Sequence, residues 1–349
     1  MSDMSITELG LVYVNDSEPG IRRHRRGKGF CYKLPDGTLL DDALHRQRIS
    51  SLGLPPAYDN VWICLQDNGH LQATGMDARG RKQYRYHKDW QSHRSTEKFH
   101  QLIEFGQALP KMRRAVLRHL DGGMDDIHGV LAALATLLDE AHLRVGNMNY
   151  ARDNGTYGAT TLLKRHLKLN DGRIELKFIA KGGKRVQRSL KHPRLQRMLE
   201  EIADLPGRQL FAWKDENGLL RPVDSGRLNL YLGEISGLSV SAKTFRTWAG
   251  SLAAFSSART ALERGIRPTV KEMSEASAEV LHNTPAISRS SYIHPSIIDL
   301  ADKQHSLEEL VFTPLVEPLR GLRADENRLL DFLIRRSEET ETAALQQAS

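Results

Sequence analysis

Four residues of this chain have types and settings that could together open a phosphodiester: Tyr292, Arg144, Arg246 and Lys181. Breaking a sugar–phosphate link at phosphorus takes a nucleophile, positive charge on the non-bridging oxygens and a proton for the departing oxygen. Without a metal, side chains must supply all three. A free phenol has a pKa near ~10, so ionising it at pH 7 costs about 4 kcal/mol, which neighbouring cations can offset. Tyr292 follows Ser288-Arg289-Ser290-Ser291, a small polar approach that could admit a phosphate. Arg144 sits at the end of an apolar run, where a rigid helix could hold its guanidinium fork against phosphate oxygens. Arg246, in Lys243-Thr244-Phe245-Arg246, falls near an expected helix start, the end that attracts anions. Lys181 precedes Gly182-Gly183-Lys184, the setting of a hairpin tip from which an amine can donate a proton. Each also has an ordinary structural reading: a packing tyrosine, an arginine capping carbonyls, an exposed helix arginine, a solvated turn.

The elements that must position them fall into two textures, which predict an α+β fold. Residues 1–90 read as a small β-rich N-terminal domain. Strands are expected at Gly29–Leu34, Val61–Leu65, His70–Gly75 and Gly80–His87, with turns at Pro35-Asp36-Gly37 and Asn68-Gly69, a returning segment at Thr38–Leu40 and helical spacing from Asp41 to Leu52. Residues 91–349 read as mostly helical. One helix is expected to end near Pro110 and another to run from Met112 to His119. Gly129–Leu143 is apolar nearly all round, as in a buried helix. A short antiparallel β interruption follows at Thr160–Leu163, Leu167–Leu169 and Ile174–Ile179, with a turn at Asn170-Asp171-Gly172. Further helices are expected at Leu195–Ala203, Ser225–Leu232, Thr244–Gly265, Val270–His282 and Ile297–Ala301, and an amphipathic closing helix at Asp325–Arg336.

At 349 residues the chain can bury two cores. A net charge of +7 favours an anionic partner, nucleic acid first. The run Arg22-Arg23-His24-Arg25-Arg26-Gly27-Lys28 reads as a phosphate-tracking arm, a strand start or a solvated segment. Two cysteines, Cys31 and Cys64, make neither a disulfide scaffold nor a zinc cage, and are expected as buried free thiols in a reducing cytoplasm. No signal peptide and no apolar run approaching the ~18 residues of a membrane span occur. Glycine-rich nucleotide loops, His-Glu-x-x-His and paired carboxylates are absent from the sequence, so nucleotide and metal hydrolase readings lack support.

The order of these motifs carries a family resemblance. Arg144 in Arg-Val-Gly-x-x-x-Tyr, Lys181 on its hairpin, Lys243-x-x-Arg246 and the Asn283-Thr284-Pro285…Tyr292 element resemble the type IB DNA topoisomerases, specifically the compact bacterial, poxvirus-like group. The resemblance covers nearly the whole chain. It implies that Tyr292 attacks the scissile phosphate to form a 3′-phosphotyrosyl bond, that Arg144, Arg246 and Asn283 bind non-bridging oxygens, and that Lys181 is the general acid. Arg81, Gln83, Tyr84, Tyr86, Tyr150 and Lys243 would contact DNA, and the two domains would form a clamp around the duplex, joined near residues 88–95. It further implies a monomer acting on supercoiled duplex DNA at the nucleoid, with no cofactor, nucleotide, obligatory metal or membrane. One departure stands out. Poxvirus enzymes carry a histidine nine residues before the tyrosine, where this chain has Asn283. His282 lies one residue earlier, where relatives usually carry glycine; Asn283 is the expected phosphate contact, and a shift of register that used His282 instead is the alternative. A tyrosine recombinase and a non-catalytic basic DNA-binding protein are the competing readings.

Overall fold

The computed structural model describes residues 4–124, 126–170, 172–302, 312 and 317–348. The chain divides into two compact units, Met1–Lys98 and Phe99–Ser349.

The first unit is built on a five-stranded antiparallel sheet in the order β2-β1-β3-β4-β5. Its strands are β1 (Ile21–Arg26), β2 (Gly29–Lys33), β3 (Asp59–Ile63), β4 (Leu71–Met76) and β5 (Lys82–Tyr86), accompanied by short helices α1 (Met4–Glu8) and α2 (Ala43–Ser51). The basic run forms β1, an interior strand joined to β2 by a two-residue turn in which Gly27 takes φ 59°. Arg23 is drawn inward, donating to Pro55 O (3.0 Å) and Tyr58 O (2.6 Å). Period-two alternation sends Ile21, Val61, Ile63 and Ala73 into a core shared with Leu40 and Ile49. The returning segment Thr38–Leu40 makes only a single bridge, Lys33 to Leu39. Cys64 is buried while Cys31 is half-buried, and both are free thiols.

The second unit is mostly helical. Helix α3 (Lys88–Asp121) runs through Pro110 instead of ending there. A mid-helix proline removes one hydrogen bond and costs roughly 3 kcal/mol. Here Phe105, Leu109 and Met112, on either side of it, bury completely or nearly so, and that continuous apolar stripe outweighs the break. α4 (Ile127–Ala141) is buried along almost its whole length, as its composition predicts. Then come α5 (Met148–Asn154), a three-stranded antiparallel sheet β6 (Leu167–Asn170), β7 (Arg173–Ala180) and β8 (Lys184–Leu190), α6 (Pro193–Asp204), a small hairpin of β9 (Ala212–Lys214) and β10 (Leu220–Pro222), and α7 (Ser225–Ser236). The unit continues with α8 (Ala242–Glu263), α9 (Val270–Leu281), α10 (Pro285–Tyr292), α11 (Pro295–Ile298) and a closing helix Ala324–Ala348. In the expected Asn170-Asp171-Gly172 turn, Asp171 lies outside the described residues. The expected strand at Thr160–Leu163 is instead a 3₁₀ turn over Ala159–Thr161. There the Thr161 hydroxyl accepts from Gly158 N (2.9 Å) and the Thr160 hydroxyl donates to Val145 O (2.9 Å), so the β-branched pair serves local backbone and not a ladder. No described helix is long and apolar enough to cross a membrane.

The closing helix is fastened by Arg113 of α3, whose guanidinium donates to Glu326 (2.7 and 2.8 Å) and to Asp139 of α4 (2.7 and 3.0 Å). Burial alone would raise the Glu326 pKa. The Arg113 hydrogen bonds outweigh it and hold the carboxyl below its usual range. Replacing Glu326 by alanine leaves a buried charge without one partner and is expected to cost about 3–5 kcal/mol in urea denaturation at pH 7. Because the folded pKa is depressed, the contribution is present above the unfolded value near ~4.3 and should fade as pH falls through the folded pKa. A cost that is small, or that does not diminish in acid, would contradict this fastening role.

Candidate active site

The site is assembled where α4 and α9 end. Each helix stops at a histidine in the left-handed region, His142 (φ 53°) and His282 (φ 49°). That conformation favours glycine. From these caps run two short segments, one carrying Arg144 and the other Asn283. Their side chains meet: Arg144 donates through Nη2 to Asn283 Oδ1. This bond fixes the amide, so Nδ2 becomes its remaining donor group. Asn283 is 9% exposed and its Nδ2 has no partner among the described residues. Asn283, and not His282, thus joins Arg144.

Arg246 is 3% exposed and lies a full turn inside α8, so it is not placed at the anion-attracting helix start that its sequence position suggested. It bridges the two helix ends, donating to His142 O through Nη1 and to Leu281 O (2.9 Å) through Nη2, while Nε has no partner among the described residues. Arg144 likewise departs from expectation. It is not on a helix, because α4 ends three residues earlier, and its loop is held by backbone bonds from Ala159 N to Arg144 O (2.8 Å) and from Thr160 N to Val145 O (2.8 Å). A glycine is required beneath it: a Cβ on Gly158 would stand 2.5 Å from both Arg144 O and Gly146 N.

Tyr292 is the last residue of α10, a helix capped by the Thr284 side chain with Pro285 in its first turn. The Arg246 guanidinium carbon lies 5.2 Å from the centre of the Tyr292 ring. Ser251 holds the chain here, donating to Tyr292 O (3.2 Å) and accepting from His294 N (3.0 Å). A Cβ on Gly250 would meet Tyr292 O at 2.8 Å, so α8 must be bare at that point. Burial pushes the Arg246 pKa down to about 10, and the charge of Arg144 pushes the same way, while Tyr292 opposes both. Burial also lowers Arg144, again against Tyr292. The His282 pKa is depressed by burial, then by the charges of Arg188, Arg246, Lys184 and Arg144. Among the described residues, no carboxylate forms a salt bridge with Arg144, Arg188 or Arg246.

Lys181 stands apart. It is exposed in the three-residue turn between β7 and β8, where Gly182 and Gly183 take φ 80° and 74°, and no hydrogen bond joins it to the other four. Lys243 is exposed in the first turn of α8, and Tyr150 is exposed on α5, a helix capped by Asn147 that the sequence reading missed. In the first unit, Tyr84 and Tyr86 stand on one face of edge strand β5 with rings stacked at 6.1 Å. Arg81 and Gln83 both donate to Asp77 (2.8 and 3.1 Å), and the Arg81 bond holds the Asp77 pKa down to about 2. The residues that sequence reasoning missed are Gly158, Gly250, Ser251 and Arg188. Only Arg188 left a signal: in β8 it shares the strand face of buried Val186, where an apolar residue is expected.

Two family patterns match the chain. One, described as Eukaryotic DNA topoisomerase I, catalytic core, covers residues 87–309, and the other, Bacterial DNA topoisomerase IB, N-terminal domain, covers residues 29–77. A protein named DNA topoisomerase 1B from Acanthamoeba polyphaga mimivirus is 30% identical over 80% of this chain and 87% of its own length. DNA topoisomerase 1B of Vaccinia virus (strain Copenhagen) is 22% identical over 72% of this chain and 78% of its own.

Replacing Gly158 by alanine should unseat the Arg144 loop and cost about 1–3 kcal/mol, as overpacking does. An unchanged urea midpoint would mean that the loop does not rest on that backbone.

Proposed function

The chain belongs to the type IB DNA topoisomerase family, and from that premise we propose that Tyr292 is its nucleophile toward a phosphodiester of duplex DNA. The Tyr292 oxygen bonds to phosphorus, the 5′ oxygen departs, and a 3′-phosphotyrosyl link replaces the broken one. Rotation of the free 5′ end removes supercoils, and attack by the 5′-hydroxyl reverses the step. Each transesterification exchanges one phosphoester for another, so no nucleotide is consumed and the mechanism calls on no obligatory metal.

One observation carries this reading: Arg144, Asn283, Arg246 and Tyr292 converge around the ends of α4 and α9, with the buried Arg246 guanidinium over the phenol and the half-buried Arg144 bonded to Asn283. Arg144 and Arg246 place forks where charge develops on the non-bridging oxygens, and such donors in a dry site are worth far more than in water. The Asn283 Nδ2, oriented by Arg144, supplies a further neutral donor. Lys181 protonates the 5′ oxygen, carried to it on the hairpin turn. Arg81, Gln83, Tyr84 and Tyr86 contact DNA from β5 and the turn before it, with Arg81 and Gln83 set by Asp77 before DNA arrives. Tyr150 and Lys243 add contacts from exposed positions in the second unit. The chemistry needs residues of one chain alone, so a monomer suffices.

Plasmid relaxation in EDTA without ATP is expected for the intact protein and should vanish in Tyr292→Phe, together with the covalent protein–DNA adduct; relaxation by that variant would reject Tyr292 as nucleophile. Lys181→Ala should slow cleavage by about 10²–10⁴-fold, the usual worth of a general acid. The loss should be recovered on DNA whose bridging 5′ oxygen is replaced by sulfur, since a thiolate leaves unprotonated. An equal loss on both substrates would assign Lys181 another role.

A further inference from the structure

The carbonyls that Arg246 takes are the second of two consecutive pairs. Arg246 binds His142 O and Leu281 O. Arg188, from β8, donates through Nε to Ala141 O (3.1 Å) and through Nη2 to Val280 O. Two arginines from different elements therefore lace the same two helix ends together, one residue apart on each. Arg188 has a reason to point there. It pairs in register with Leu176, and Val186 pairs with Phe178, so Arg188 lies on the buried face of the hairpin. Helix C-termini carry unsatisfied carbonyls and partial negative charge, which suits a guanidinium. The segments leaving these ends carry Arg144 three residues beyond Ala141 and Asn283 three residues beyond Val280.

We propose that Arg188 is a positioning residue for the cleavage reaction: by tying Ala141 O to Val280 O it fixes the spacing at which Arg144 and Asn283 meet one phosphate. It touches neither of those side chains through a hydrogen bond and acts through the helix ends. The inference rests on the reading of Tyr292 as nucleophile. Since β8 also continues from the turn that bears Lys181, the tether anchors the hairpin to the same helix ends.

A double-mutant cycle in single-turnover cleavage of a nicked suicide duplex tests it. Arg188→Ala should slow adduct formation about 100-fold, the scale on which small misplacements act. DNA affinity, set mainly by phosphate contacts, should stay within about threefold. In the Asn283→Ala background the same substitution should cost at least about tenfold less, because the two act as a unit. Full-speed cleavage by Arg188→Ala, or an equal cost in both backgrounds, would overturn the proposal. Should the alanine protein not fold, Arg188→Lys, which keeps the charge but loses the fork, enters the same cycle under the same criteria. An adduct formed on a residue other than Tyr292 would sink the nucleophile and not the tether. The tether is then judged by amide exchange, which Arg188 substitution must accelerate at 142–145 and 281–284; unchanged exchange there would overturn it.

Discussion

The candidate site turns on drawing the Arg246 and Arg188 guanidinium charge inward with, among the described residues, no carboxylate salt bridge to cancel it. An ion removed from water carries a penalty of several kcal/mol, and a pair with Asp or Glu is the usual remedy. Here the remedy is a set of main-chain carbonyls at two helix C-termini, which Arg246 and Arg188 share. Carbonyl dipoles offset part of the cost and leave the positive charge uncancelled. On the reading proposed above, a phosphate entering such a place finds donors already held in position.

That constraint explains local features with no other common cause. Two helices end at left-handed histidines, and the carbonyls of Ala141, His142, Val280 and Leu281 at those ends accept from the arginines. Backbone strain of this kind survives where the surrounding structure holds it. Gly158 and Gly250 are bare because the Arg144 loop and the Tyr292 carbonyl each approach within about 3 Å of where a side chain would begin. The phenol then lies beside Arg246 at a fixed spacing set by α8, α10 and the Ser251 hydroxyl that joins them. Pre-set donors of this kind need no reorganisation at the moment of reaction.

The sequence disclosed the regular elements better than the contacts that support the candidate site. Helix α4 and strand β7 were legible because continuous apolar composition and strict alternation follow directly from burial, whereas β8 was not expected as a strand. Helix α10 was not, although Thr284-Pro285 is a helix-start signal, because a short polar segment shows no periodic stripe. Pro110 misled in the other direction: its local penalty was visible, whereas the packing that overrides it is a property of the fold. Arg144 and Arg246 were singled out by type and order, but the left-handed histidine cap at φ 53° and the long-range carbonyl acceptors that hold Arg246 leave no mark in one sequence. Close approaches such as that at Gly158 are equally silent.

The most direct measurement is a crystal structure of the protein with vanadate bridging a protein side chain and the 5′-hydroxyl of a nicked duplex. Vanadium bonded to the Tyr292 oxygen, with its equatorial oxygens within hydrogen-bond distance of Arg144, Arg246 and the Asn283 amide nitrogen, is the expected result. Vanadium held by another residue, or a Tyr292 adduct whose oxygens are met by neither arginine, would contradict it.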